Sequence, residues 1–296
     1  MKFKIENLSF TYKSFGASTK CALKEINVQI QSGEFVCLIG PSGSGKTTLM
    51  QHFTGLLKPD HGRVVFEGKD IWGKECNLTS LRRKVGLVFQ FPEKQLFAET
   101  VYEDIAFGPK NLSLDESEIR ERVRSAMERV QLEFETFAER SPFSLSEGEK
   151  RRAALAGVLV MQPEMLILDE PTAGLDHKGV NVMLDILHDF HSRGKTLLLI
   201  SHNLDLVGIL ASRVLVLNEG QMRFDGSIRD LFKDSELLQS LGLERPRLQV
   251  IVQKLKQNGW LKTEAIYSVE HLKKELVKHP RFRKSTRQKL PVIDKL

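Results

Sequence analysis

Val36-Cys37-Leu38-Ile39-Gly40-Pro41-Ser42-Gly43-Ser44-Gly45-Lys46-Thr47-Thr48 decides how the rest of the chain is read. An apolar strand pattern runs into Gly40-x-x-x-x-Gly45-Lys46-Thr47, and a hydrophobic helix opens behind it at Leu49 and Met50. Glycines let backbone amides curl around anionic oxygens, Lys46 can reach outer phosphates, and the Thr47 hydroxyl can meet Mg²⁺. The expected ligand is a nucleoside triphosphate. The plain alternative is a glycine turn ahead of a surface helix.

Outward from this stretch, Lys2 to Tyr12 and Leu23 to Ile30 read as strands joined through Ser14 to Lys20, and Ser32-Gly33-Glu34 turns into the strand Phe35 to Ile39. The helix from Lys46 is expected to stop at Lys58-Pro59-Asp60-His61-Gly62. Leu78 to Lys84 reads as a short helix and Val85 to Phe89 as a strand leading to Gln90. Phe91 to Asn111 is apolar and aromatic but carries the helix-stopping pair Gly108-Pro109. Its residues serve either a second subdomain's packing or a partner groove around Phe91, Leu96 and Phe97. Asp115 to Val130 is an amphipathic helix.

Leu145-Ser146-Glu147-Gly148-Glu149 precedes a helix expected from Lys150 to about Met161, and a hydroxyl and glycine at its start make a second candidate anion site. Met165 to Glu170 is a buried parallel strand delivering two carboxylates at its end. Lys195 to Ile200 is another, ending at Ser201-His202. Arg213 to Leu217 and Gln221 to Asp225 form a hairpin around Asn218-Glu219-Gly220. Helices follow at Arg229–Leu241, Arg247–Gln257 and Ser268–Lys278.

Of 296 residues, 41% are hydrophobic and 28% charged, which suits one large core and a smaller domain. No apolar run approaches the roughly 18 residues of a membrane span. The amino terminus alternates like a strand and lacks a signal-peptide pattern, so the sequence predicts a protein on the cytoplasmic side. Cys21, Cys37 and Cys76 are too scattered for a disulfide framework or a paired-cysteine metal site, and Cys37 is expected to fill an apolar strand position. Residues 273–296 hold nine Lys/Arg against two acidic residues, a net +7 that leaves −1 for the rest of a chain of charge +6. The basicity therefore belongs to a tail, which reads as a solvated end ahead of a lipid or RNA contact.

Hydrolysis needs a phosphate cradle, a metal, an attacking water and charge compensation. Asp169 is the expected metal ligand beside Thr47. Glu170, pointing elsewhere at the strand end, is expected to orient or deprotonate water, and His202 to bond the terminal phosphate.

At this point the chain resembles the ATP-binding cassette family. Gly40 to Thr47 matches its Walker A motif, Gln90 its Q-loop, Leu145 to Glu149 its signature, Leu166 to Glu170 its Walker B, Ala173 to Asp176 its D-loop and His202 its switch histidine. Tyr12 matches the aromatic that stacks on adenine. The resemblance covers roughly residues 3–230. It implies an α/β P-loop NTPase, specifically an ABC nucleotide-binding domain with an antiparallel β subdomain, a helical subdomain at about 91–162 and a small C-terminal extension. The implied domains are 1–230, a helical dimerisation extension 231–280, and the tail 281–296.

It also implies ATP and Mg²⁺ as ligands, with Thr47, Gln90 and Asp169 around the metal. Tyr12, Gly40, Pro41, Ser42, Gly43, Ser44, Gly45, Lys46, Thr47 and Thr48 would bind the nucleotide. Ser146 and Gly148, with Asp176, would complete the site of a facing subunit. Glu147 and Glu149 depart from the usual L-S-G-G-Q; like-charge repulsion from them would weaken closure, and outward rotamers would reduce that effect.

The narrower resemblance is to the energising subunits of energy-coupling factor importers. It is carried by Phe89 to Glu93, Gln95 to Phe97, Asp104 to Pro109, Ser141 to Phe143, Arg151-Arg152 and the extension through Trp260, with Gln51-His52 pointing to the second of two paralogous ATPases. The implied partners are a paralogous ATPase, a transmembrane coupling protein and a membrane substrate-capture subunit, at the cytoplasmic face of the membrane. A conventional transporter ATPase fits the core motifs equally well. No nucleic-acid-reading motif supports a soluble cassette ATPase acting on DNA or ribosomes, so no specific nucleic-acid partner is expected. A P-loop kinase gives Gln90, Ser146, Gly148 and His202 no shared purpose.

Overall fold

Alternation of apolar and polar side chains sets the first sheet. β1 (Phe3–Tyr12) turns Phe3, Ile5 and Leu8 inward, and β2 (Lys20–Ile30) does the same with Ile26, Val28 and Ile30. The two pair antiparallel, with Phe3 opposite Ile30 and Tyr12 opposite Lys20. β3 (Phe35–Ile39) belongs to a second sheet, and α1 (Lys46–Phe53) follows it. β4 (His61–Phe66) and the short β5 (Lys69–Asp70) complete a four-stranded sheet of order β2-β1-β4-β5. The structure, a computed structural model, describes residues 3–13, 19–233, 235–241, 243, 246–263, 266 and 269–279. The basic tail 281–296 and most of the connection at Ser14 to Lys20 lie outside the described residues.

α2 (Leu78–Lys84), capped by Asn77, leads into β6 (Val85–Val88), and a 3₁₀ turn at Pro92–Gln95 begins a helical excursion. Its helices are α3 (Val101–Lys110), α4 (Glu116–Arg129), α5 (Phe134–Phe137) and α6 (Glu147–Leu159). The chain then returns through β7 (Met165–Asp169), α7 (His177–Ser192), β8 (Thr196–Ile200), α8 (Leu204–Leu210), β9 (Arg213–Asn218) and β10 (Gln221–Ser227).

The second sheet is six-stranded, of order β10-β9-β3-β8-β7-β6. Its β3, β8, β7 and β6 run parallel, with Leu38 and Asp169 both in register with Ile200, and Leu168 with Val88. Every residue of β3, β7 and β8 is buried, which explains their unbroken apolar runs. Cys37 fills one such position, and burial pushes its thiol well above the ordinary range. One core joins both sheets through α1: Phe3 meets Phe53 edge-on at 5.1 Å, with Met50, Ile167 and Leu198 in the same cluster.

The described residues divide into two compact units. One takes in the chain up to His202 together with Leu215–Asp225; the other takes in Asn203–Val214 and the described residues from Gly226 onward. The second unit contains α8, α9 (Ile228–Lys233), α10 (Ser235–Ser240), α11 (Arg247–Gln257) and α12 (Val269–Lys278). It has a small core of its own around Val252, Leu261, Ile266 and Leu272.

Four local expectations are corrected. The helix-stopping pair Gly108-Pro109 lies inside a helix rather than before one: α3 forms with Thr100 capping its start, and it ends at Lys110, one residue after Pro109, so the proline forfeits a single backbone bond at the helix end. The helix after the signature starts at Glu147 rather than Lys150, because Ser146 caps it. The expected helix at Arg229–Leu241 is two, α9 and α10. β2 begins at Lys20 rather than Leu23.

Candidate functional site

The carboxyl ends of the four parallel strands converge, and each delivers one of the sequence-predicted groups. β3 leads into the Gly40–Gly45 loop, β6 toward Gln90, β7 ends on Asp169 with Glu170 next, and β8 is followed by Ser201 and His202. Crevices at such strand ends are where open α/β sheets bind ligands. Here the crevice is a cleft of about 410 Å³ lined by Tyr12, Lys20, Ala22, Gly40, Ser42, Gly43, Gly45, Lys46, Thr47, Thr48, Gln90, Asp169, Glu170 and His202.

The loop's backbone demands glycine. Gly40 and Gly45 take φ of 149° and 107°, and a Cβ would fall 2.0 Å from the Leu217 carbonyl oxygen at the first and 2.6 Å from that of Ala22 at the second. The Lys46 ammonium donates to the carbonyls of Gly40, at 2.8 Å, and Pro41, at 2.9 Å. Burial lowers its pKa, opposed by the charges of Glu170 and Asp169. Across the cleft the Thr47 hydroxyl donates to Asp169 Oδ2 at 3.1 Å. Burial pushes the Asp169 carboxyl above its ordinary range; the Thr47 bond and Lys46 pull it down and the Glu170 charge adds to the rise.

Glu170 turns away from Asp169 through its backbone. Its φ is 49°, a left-handed conformation that costs a non-glycine residue energy, and its N–H donates to Ile200 at 2.9 Å. Its carboxylate then accepts from Ser201 Oγ at 3.3 Å and lies 2.7 Å from His202 Nδ1. His202, expected beside a phosphate, thus also holds the glutamate. At the cleft's other end the Tyr12 hydroxyl pairs with Thr48 Oγ1 at 3.2 Å, its ring 43% exposed and edge-on to Phe10.

The residues fit a magnesium nucleotide. The first turn of α1 carries no acidic residue and its N-cap Gly45 contributes no side-chain bond, so its amides face the loop uncapped by side chains. Ser44 Oγ is buried without a partner. Thr47 and Asp169 present two hard oxygens to one point, the kind of ligand Mg²⁺ takes from protein when phosphates and water supply the rest.

Three predicted residues stand elsewhere. Ser146 caps α6, Gly148 lies in its first turn, and Asp176 caps α7 by accepting from the Gly179 N–H at 2.7 Å. Sequence reasoning missed Lys20 and Ala22, whose signal was hidden by the late start given to β2. It also missed Arg151, buried on α6, which pairs with Glu93 through two bonds of 3.2 Å and donates to the Pro171 and Ala173 carbonyls.

The family model described as ABC transporter matches residues 23–173. The energy-coupling factor transporter ATP-binding protein EcfA2 of Clostridium tetani is 48% identical over 94% of this chain and 97% of its own length. That of Clostridium perfringens is 45% identical over 94% and 98%. Among solved structures, cbiO1 from Clostridium perfringens, described as part of the ABC transporter complex cbiONQ, superposes with a TM-score of 0.71 at 38% identity, covering 85% of this chain and 98% of that one. A dimeric post-hydrolysis state of the ATP-binding cassette MJ0796, bound to ADP and Pi, gives 0.68 at 31% identity, covering 77% and 99%. With the cleft's residues in family order and these likenesses along nearly its whole length, the chain belongs to the ABC transporter family, among the ATP-binding subunits of energy-coupling factor transporters.

Proposed function

We propose that this chain is the second of two paralogous ATPases that power an importer for vitamins or other micronutrients, bound peripherally at the cytoplasmic face of the membrane. The observation that carries this reading is that Ser146 and Gly148, an exposed helix start, do not line the cleft that collects the other nucleotide-site residues. An ATP site completed head-to-tail by the partner's signature explains the separation. MJ0796, described as dimeric with ADP and Pi bound, supports a paired assembly.

In this mechanism Tyr12 stacks on adenine, and the loop amides with Lys46 hold the phosphates. Thr47, Asp169 and Gln90 would hold Mg²⁺, which neutralises phosphate charge when bound. Glu170, oriented by His202 and Ser201, takes the proton of the attacking water. His202 Nε2, which the Glu170 contact does not use, would donate to the terminal phosphate with both ring nitrogens carrying hydrogen. Closure of two subunits on ATP and separation after hydrolysis supply the movement.

The helical excursion receives the membrane coupling protein. In support, Phe97 and Phe107 are 61% and 56% exposed and stack edge-on at 5.1 Å. The second unit serves the ATPase pair, its α11 presenting Val250 and Ile251 outward. Purification of the native complex in detergent tests the proposal. Two different ATPases with a coupling protein and a capture protein are expected; a pair of ordinary permeases rejects it.

A further inference from the structure

The signature of this chain differs from L-S-G-G-Q at Glu147 and Glu149, and the two carboxylates behave differently. Glu147 points to solvent, its side chain 72% exposed, and pairs with Lys150 at 3.0 Å. Glu149 folds back: its Oε2 accepts from the Ser146 N–H at 2.8 Å and from the Ser146 hydroxyl at 2.7 Å. The same hydroxyl accepts weakly, at 3.4 Å, from the Glu149 N–H. This is a capping box with one addition, a carboxylate that also takes the serine's only proton.

We propose that Glu149 latches Ser146, so that ATP completes the composite site only by displacing a carboxylate from the hydroxyl that must reach its phosphate. A serine hydroxyl has one hydrogen and cannot donate it to two anions at once. The bond to an ionised acceptor is among the stronger hydrogen bonds. Those contacts with Ser146, hydroxyl first and backbone second, hold the Glu149 carboxyl below its ordinary range, with Arg152 and Arg140 adding to the effect. The latch is therefore set at neutral pH. It acts on the site that this chain's signature completes, built around the partner's phosphate loop, and leaves this chain's own cleft untouched. The two sites of the pair then close at different ATP concentrations. Glu149 is a positioning residue acting through Ser146.

The inference rests on the trans completion proposed above, and the test separates the two. In the co-purified ATPase pair, hydrolysis is arrested by Glu170→Gln here and the equivalent change in the partner. ATP is then titrated while pairing is read by energy transfer between dyes on the two subunits. Glu149→Gln keeps an acceptor for the Ser146 amide, so the helix start survives. It is expected to lower the ATP concentration for half-maximal closure by roughly tenfold, the difference between a charged and a neutral hydrogen bond. Glu147→Gln removes the same charge without touching Ser146 and is expected to change it less than about twofold. In a Ser146→Ala background the Glu149→Gln gain is expected to vanish. An unchanged or weaker response to Glu149→Gln overturns the latch alone, as does an equal gain from Glu147→Gln or a gain that survives Ser146→Ala. If the arrested parent pair does not close on ATP, the interfacial reading falls and the latch with it.

Discussion

His202 Nδ1 lies 2.7 Å from Glu170 Oε1, and the two residues follow neighbouring parallel strands, β8 and β7. A carboxylate only accepts, so Nδ1 carries the hydrogen, and the histidine fixes which way the glutamate faces. Replacing Glu170 by Gln keeps the shape and removes the base. Hydrolysis at the site containing this residue is expected to fall by roughly 10²–10⁴-fold with ATP binding retained. Single-turnover assays on a pair whose opposite site is inactivated check this, and undiminished turnover would remove Glu170 from its role.

Lys46 contributes a charged contact to the bound phosphates in exchange for two neutral carbonyls. Lys46→Ala is expected to weaken ATP binding by about 1.5–3 kcal/mol, roughly 10- to 150-fold. Equilibrium binding of a fluorescent ATP analogue measures it, and parental affinity would contradict the assignment.

Asp169 makes stability depend on pH in a defined sense. Its folded pKa is raised, chiefly by burial, so its stabilising contribution is complete at low pH and is lost as pH rises through the folded value. At pH 7 the ionised carboxyl therefore works against the fold. Asp169→Asn is expected to melt at a higher temperature than the parent at pH 7, with the difference shrinking as pH falls through the carboxylate range. The extra melting shift given to the parent by Mg²⁺ with ATP is expected to be lost. Thermal melts from pH 4 to 8 decide the matter, and a lower melting temperature at pH 7 would refute the burial argument.

Arg151 and Glu93 are 6% and 7% exposed in their side chains, so removing one partner strands a buried charge. Arg151→Ala is expected to cost about 3–5 kcal/mol, and the double change with Glu93→Ala less than the sum of the two. Urea unfolding of the four proteins measures the coupling; strict additivity would mean the pair is not acting as one.

The parts legible in the sequence were those whose signal is local. Val36 to Thr48 announced a strand, a loop and a helix because glycine, lysine and threonine occupy fixed offsets, and Met165 to Glu170 announced a buried strand because four apolar residues run unbroken up to its two carboxylates. α3 was hidden because Gly108-Pro109 normally ends a helix, and here it does so from within, one residue before the last. The bonds between Arg151 and Glu93 had no local signal at all, since the partners come together only when the helical excursion folds. Ser146-Glu147-Gly148-Glu149 carried the spacing of a capping box, yet its carboxylates read as repulsion because that spacing says nothing about which oxygen a hydroxyl will choose.

The whole excursion from α3 to α6 leaves the second sheet at β6 and re-enters it at β7, two strands that lie side by side with Val88 in register with Leu168. Its exit and entry doors are thus adjacent, and the pairing between them holds the strand that leads to Gln90 beside the strand that ends on Asp169, while Arg151 on α6 ties the detour back to the Pro171 and Ala173 carbonyls just beyond. Such a layout behaves as a cartridge pinned at one point: the exposed rim that carries Phe97 and Phe107 takes no part in the strand pairing, whereas Arg151 reaches the loop that follows Glu170. The exposed aromatics and the hydrolytic residues are therefore free to vary separately, with Arg151 as the point at which the two parts stay joined.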